Sequence, residues 1–225
     1  MGKKIISFSL YNGYKLEYSI GAICNAELAK IIYPGWICRF YYGDSVQQEI
    51  IKKLSEYDNV ELVKMDENGI NLYMMWRFLA CDDPDMEVMI SRDTDSRLSF
   101  REKKLVDIFI DSDKIFHDVR DNGSHNITMG GMWGIKKGHS INMKQEIDNF
   151  SKSMNYGHDQ DFLNSVISPK FVGRTLLHCS TYHNTIPIQR GEKLSDLIEN
   201  PNNEHFIGER FFHNNYDKPY NYVFY

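Results

Sequence analysis

Apolar and polar positions along the first ninety residues switch repeatedly between a period of two and a helical period. Lys3 to Tyr11 reads Lys-Lys-Ile-Ile-Ser-Phe-Ser-Leu-Tyr, a predicted strand that stops at the turn signal Asn12-Gly13. Ile20, Cys24, Leu28 and Ile31 then recur at helical spacing and predict a helix from about Leu16 to Tyr33, ended by Pro34-Gly35. Trp36 to Tyr42 is a second predicted strand. The turn Gly43-Asp44-Ser45 leads into a second helix, with Ser45 as its cap and Val46, Ile50 and Leu54 as its buried stripe. Val60 to Met65 is a third strand, Asn71 to Cys81 a third helix, and Val88 to Ile90 a fourth strand. Alternation of this kind predicts an α/β fold, a mostly parallel central sheet with helices on both faces. In such sheets ligands lie beyond the carboxyl ends of the strands. Tyr11, Gly43, Asp44 and Asp93 all fall at those ends.

The second half is less regular. Ser99-Phe-Arg-Glu102 is a capping box that opens a helix to about Ile110, and Lys114 to Arg120 reads as a strand. A polar turn at Asp121 to Asn126 precedes a predicted strand from Ile127 to Lys136, interrupted by Gly130-Gly131. Adjacent glycines inside a strand pattern mark either a packing bulge or a backbone in contact with a ligand. Ile141 to Met154 is an amphipathic helix, another begins at Asp159, and Phe171 to Cys179 is a late strand containing His178. From Gly191 to Tyr225 periodicity fades, which predicts a wrap over the surface.

Candidate chemistry concentrates between Glu87 and Arg97. A short apolar run delivers Asp93 and Asp95 two positions apart at a strand exit, where side chains at i and i+2 share a face. Two hard oxygen ligands with no nearby cysteine favour Mg²⁺ or Mn²⁺ over Zn²⁺. Arg92 and Arg97 flank the pair and suit a phosphate beside the metal. The chain has three other Asp-x-Asp patterns, at Asp83, Asp111 and Asp159. The first two read as turns and connections, and a solvated loop is the plain alternative for Asp93 and Asp95 as well. An EF-hand fails here, because Leu98 and Lys104 stand where glycine and glutamate are needed.

Composition narrows the field. The chain has 225 residues with no Gly/Ser/Pro-rich linker, so one domain is the simpler expectation, with a nucleotide-binding half at about 1–100 and an acceptor half with its wrap at about 101–225. A hydrophobic fraction of 42% supports a packed core. A net charge of -5 without a dense basic run argues against nucleic acid as partner. Four scattered cysteines read as free thiols of a reducing compartment. With no signal peptide and no apolar stretch long enough to span a bilayer, the expectation is a cytoplasmic protein.

Taken together, Ile5-Ile-Ser-Phe-Ser-Leu-Tyr11, Met75-Trp-Arg-Phe-Leu79, Ser91-Arg-Asp-Thr-Asp-Ser-Arg97, Gly130-Gly-Met-Trp-Gly134, His158-Asp-Gln-Asp-Phe-Leu163 and His178 resemble the GT-A (Rossmann-like) family of nucleotide-sugar glycosyltransferases. The likeness is to the small enzymes encoded by large DNA viruses and some bacteria, which for a viral protein means the host cytoplasm. It spans roughly positions 5 to 180, and Phe206-Ile-Gly208 adds a weaker match. The resemblance implies that Ser9, Leu10 and Tyr11 line the base and ribose of the nucleotide, and that Asp44 reaches the same group. It implies Asp95 as the main metal carboxylate, with Asp93 on the ribose or on the metal through water, and Mn²⁺ or Mg²⁺ as cofactor. Arg77 and Arg92 would hold the diphosphate or donor sugar, though an arginine on a helix surface explains Arg77 equally. His178 would be a third metal ligand, with His183 as competitor and a plain hydrogen-bonded histidine as the alternative. Gly130 and Gly131 would let the backbone approach the sugar. Asp159 would be the base that takes the acceptor proton in an inverting reaction, or simply a helix cap, and Gln160 or Asp161 would position the acceptor. The implied partners are a nucleoside-diphosphate sugar, UDP-sugar favoured, and a glycan or other hydroxyl acceptor. Two rivals stand: a nucleotidyltransferase, for which Asn12-Gly13 is too little phosphate loop, and a non-catalytic nucleotide-sugar-binding protein.

Overall fold

In the computed structural model of the chain, the described residues are 2–11, 15–66, 73–150, 157–179, 192–193 and 206–211. Strands β1 (Lys3–Leu10), β2 (Ile37–Tyr42), β3 (Val60–Lys64), β4 (Met86–Ser91), β5 (Phe116–Arg120), β6 (Trp133–Lys136), β7 (Thr175–Cys179) and β8 (Glu192–Lys193) form one sheet in the order β3-β2-β1-β4-β6-β5-β7-β8. All adjacent pairs are parallel except those made by β6, which runs antiparallel to both β4 and β5. The first half is therefore the parallel wound sheet that the alternating pattern predicts.

Strand parity sorts the side chains into two layers. Ile6, Phe8 and Leu10 of β1 and Val88 and Ile90 of β4 face helices α1 (Leu16–Ile32) and α3 (Phe100–Asp111). Ile5 and Met89 face the other way, toward Met75, Trp76 and Phe78 of a 3₁₀ helix at Tyr73–Asp82, and toward Met143 of α4 (Met143–Asn149) and Phe162 of α5 (His158–Phe162). Helix α2 (Gln48–Ser55) packs on the α1 layer.

Several elements differ from their predicted form. The third helix is 3₁₀ rather than α, because Ser7 and Ser9 on one face of β1 clamp its backbone. Ser7 donates to the Arg77 carbonyl at 2.6 Å, and the Arg77 amide donates to Ser9 Oγ at 3.0 Å. The N-cap of α2 is Gln47, not Ser45. The buried face of α1 is Ser19, Gly21, Ala22, Asn25, Ala26, Leu28, Ala29 and Ile32, while Ile31 is exposed. Small residues win that face because the loop after β4 presses against it. A Cβ on Gly21 would sit 1.8 Å from the Thr94 carbonyl oxygen. The strand predicted from Ile127 begins only at Trp133, and Gly130-Gly131 precede it in an irregular turn. Helix α4 is shorter than the predicted 141–154, whose last four positions lie outside the described residues. Of the predicted C-terminal wrap, only 192–193 and 206–211 are described.

Cys24, Cys38, Cys81 and Cys179 form no disulfide among the described residues. No helix of the described residues is long and apolar enough to cross a membrane.

Candidate functional site

At the carboxyl ends of β1 and β4 lies a cleft of about 320 Å³, lined by Ser9, Tyr11, Lys15, Tyr18, Met74, Arg77, Asp93, Asp95, Gly130, Gly131, Asp159 and Gln160. His125, Met129, Met132, Gly208 and Arg210 close its other side. Its position is the one expected for a wound sheet.

Arg77 is the hub. The serine clamp from β1 fixes its backbone, and its guanidinium is almost wholly buried. Nη1 donates to Asp93 Oδ1 and, at 3.2 Å, to the Arg92 carbonyl; Nη2 donates to Asp159 Oδ2 at 2.9 Å. One planar cation thus joins carboxylates 66 positions apart in the chain, from the end of β4 and the start of α5. The planar fork of donors fixes the directions of both pairings, as the rotatable ammonium of a lysine would not.

The glycine pair is explained by the same carboxylates. A Cβ on Gly130 would lie 2.0 Å from Asp159 Oδ2, and one on Gly131 would lie 1.9 Å from Asp93 Oδ2. Ser91 holds the turn by donating to the Gly130 carbonyl at 2.7 Å. The structure thus gives the glycine pair a packing reason, close approach to the Asp159 and Asp93 carboxylates at the centre of the cleft.

Asp95 is mostly buried, and its pKa is pushed up to about 6, chiefly by burial and then by the neighbouring Asp93 charge. Arg210 Nε, 3.2 Å from Asp95 Oδ2, only partly offsets this. Asp159 is also raised, by burial first, with Arg77 pulling it back. The loop carrying the pair is tied to α1: Asn25 Nδ2 donates to the Ser96 carbonyl at 2.9 Å and its Oδ1 accepts from the Leu98 amide at 3.1 Å. Tyr11 opens an aromatic edge, with ring centroids 5.5 Å from Tyr73 and 6.3 Å from Trp76.

Four predicted site residues are not brought into the cleft. Arg92 continues the parity of Val88 and Ile90 and so points to the α3 layer, opposite to Asp93. There it is fully buried, with Nε 2.6 Å from Glu102 Oε1, which also accepts from the Tyr33 hydroxyl at 3.0 Å. Leu10 packs in the core beside Phe8 and Phe40. Asp44 is exposed and paired with Lys64 at 2.9 Å. His178 is fully buried on the α3 side, its Nδ1 2.8 Å from His117 Nε2, because β7 pairs with β5 and puts the two rings on one face. His183 lies outside the described residues. Asp159 is not a cap, since Gly157 holds that position in α5. Gln160 lines the cleft and Asp161 faces solvent. Asp83, of another Asp-x-Asp pattern, is an ion-pair partner of Arg39 at 2.6 Å.

Among the described residues no three His, Cys, Asp or Glu side chains are grouped to hold a metal ion. Asp93 and Asp95 supply two carboxylates, one of them short of positive charge. That donor set does not make the closed site of a structural zinc. It fits a hard cation of the Mg²⁺ type, which is commonly held by one or two carboxylates together with substrate phosphates. His125, Arg210, Lys15 and Tyr18 are the lining residues that sequence reasoning missed. His125 and Arg210 stand in aperiodic segments; only Phe206-Ile-Gly208, beside Arg210, left a trace in the resemblance.

No family model and no curated protein matches the chain. Among solved structures it is similar to the galactosyltransferase LgtC in complex with donor and acceptor sugar analogs, at TM-score 0.51 and 16% identity over 79% of this chain and 73% of that one. It is also similar to the 4-diphosphocytidyl-2C-methyl-D-erythritol synthase of Anaerococcus prevotii, at 11% identity over 88% and 97% of the two chains, with a TM-score of 0.48. The sheet order, its mostly parallel strands and the likeness to LgtC together give the chain the α/β architecture of GT-A glycosyltransferases.

Proposed function

We propose that the chain is a metal-dependent glycosyltransferase that moves a sugar from a nucleoside-diphosphate sugar, with UDP-sugars favoured, to a hydroxyl of a glycan acceptor. The observation that carries this reading is the convergence of Asp93, Asp95 and Asp159 on one cleft, joined through Arg77 and backed by two glycines. Mn²⁺ or Mg²⁺ held by Asp93 and Asp95 would neutralise the charge that develops on the departing nucleoside diphosphate. Ser9 and Tyr11 line the end of the cleft nearest β1 and suit the nucleoside. Arg77 keeps Asp93 and Asp159 in fixed relative positions, which is the preorganisation that a charge-separating reaction needs.

Asp159 is the proton acceptor for the attacking hydroxyl in this reading, and its raised pKa makes it a stronger base than an exposed aspartate. Arg77 favours the ionised carboxylate and holds it in place, while burial, the larger effect, keeps it basic.

The test is hydrolysis and transfer assayed over UDP- and GDP-sugars with Mn²⁺, in wild type and in Asp95→Ala. Turnover lost in the variant and in EDTA supports the transferase. Nucleotide binding without turnover in wild type points instead to a binding module, and release of pyrophosphate from a nucleoside triphosphate points to a nucleotidyltransferase.

A further inference from the structure

His125 stands on the rim of the cleft, in the loop between β5 and β6. The residue is only 8% exposed, and its Nδ1 is buried with no hydrogen-bond partner among the described residues. Leaving a buried polar group unpaired is unfavourable, so such a group calls for an explanation.

The loop that presents the ring is anchored on both sides. Thr128 Oγ1 donates to Asp118 Oδ2 at 2.9 Å, and Asn164 holds Thr128 by both its amide and its carbonyl, at 3.0 and 2.9 Å. Arg120 Nη1 donates to the Asn126 carbonyl at 3.0 Å. The edge of the ring is set by Phe206, at a centroid distance of 5.4 Å in a T-shaped contact. Its backbone amide donates to the Asn122 carbonyl at 2.8 Å and its ring rests against Phe206, so the imidazole is held in place while its Nδ1 keeps no hydrogen-bond partner among the described residues. Burial lowers its pKa below the ordinary imidazole value and so favours the neutral ring. A neutral imidazole offers one donor and one acceptor. A sugar hydroxyl offers the same pair, and a phosphate offers acceptors only.

We propose that His125 reads a hydroxyl of the transferred sugar and is a specificity-determining contact of the donor site. The inference rests on the glycosyltransferase reading above. If the diphosphate lies against Asp93 and Asp95, the sugar attached to it lies in the same cleft, whose lining also includes Gly130, Gly131 and His125.

Calorimetric titration in the presence of Mn²⁺ tests this, using UDP, GDP and their glucose, galactose, N-acetylglucosamine and mannose conjugates as probes. The quantity to read is the affinity of the best nucleotide-sugar relative to its bare nucleotide. In His125→Phe that ratio should fall by roughly tenfold, the loss expected when one hydroxyl loses its partner, with the bare nucleotide changed by less than about twofold. His125→Gln, which restores a donor and an acceptor, should recover most of the ratio and rescues the test if the Phe variant melts early. An unchanged ratio in folded His125→Phe, or equal losses for nucleotide and nucleotide-sugar, overturns this inference alone. A wild-type chain that binds none of the probes overturns the donor reading and this inference with it.

Discussion

Replacing Asp95 by asparagine should make the protein more stable while disabling it. In the folded chain Asp95 is raised from 3.8 to about 6 by burial and by Asp93. A folded pKa above the unfolded one means that the native state holds its proton more tightly. Ionising Asp95 therefore subtracts stability, beginning near pH 4 and complete above pH 6. At about 1.4 kcal/mol for each tenfold change in the acid constant, the cost at pH 8 is at most about 3 kcal/mol. Asparagine has nearly the same shape and carries no charge. The Asp95→Asn melting temperature at pH 8 should rise by several degrees, since ~1 kcal/mol moves a chain of this size by roughly 2–4 °C. At pH 4 the gain should shrink below about 1 kcal/mol, because wild-type Asp95 is then largely protonated in the folded state. Scanning calorimetry at both pH values, with and without Mn²⁺ plus UDP, measures all of this. Ligand should raise wild type and leave the variant unmoved, narrowing or inverting their order. An Asp95→Asn chain no more stable than wild type at pH 8, or a gain that persists undiminished at pH 4, refutes the reasoning.

Because Asp95 must lose its proton to hold a cation, Mn²⁺-dependent UDP binding should weaken below pH 6 by about tenfold per pH unit, read by calorimetric titration. Gly131→Ala puts a methyl where Asp93 Oδ2 now sits; it should cost about 1–3 kcal/mol in urea melts and remove the Mn²⁺-dependent response to UDP. Glu102→Ala strands the buried Arg92 charge and should destabilise by about 3–5 kcal/mol. Titrated at a temperature where it stays folded, this variant should bind nucleotide as wild type does, since Arg92 points away from the cleft.

The parallel half of the sheet was legible because buried strands and amphipathic helices carry different periods, and Asp93 and Asp95 were legible because they follow such a strand. Arg92 was misread although parity alone separates it from Asp93: one position along a strand is a change of face. His178 is a different kind of error. Its face is set by the pairing of β7 with β5, a long-range choice that no local pattern records. The α1 stripe was assigned to large residues, whereas the tight contact with the loop after β4 selects glycine and alanine. Arg210 and His125 gave no periodic signal because they reach the cleft from segments without regular structure.

Arg77 binds one carboxylate that follows it in synthesis by 16 residues and a second that follows by 82. On a growing chain the first pairing becomes available early. The second must wait until α5 has emerged and docked, and until then the guanidinium has an open arm. Any fragment that stops short of Asp159 therefore carries the acidic loop without the contact that squares its geometry, so nucleotide capture should arise late and all at once rather than accrue as the sheet grows.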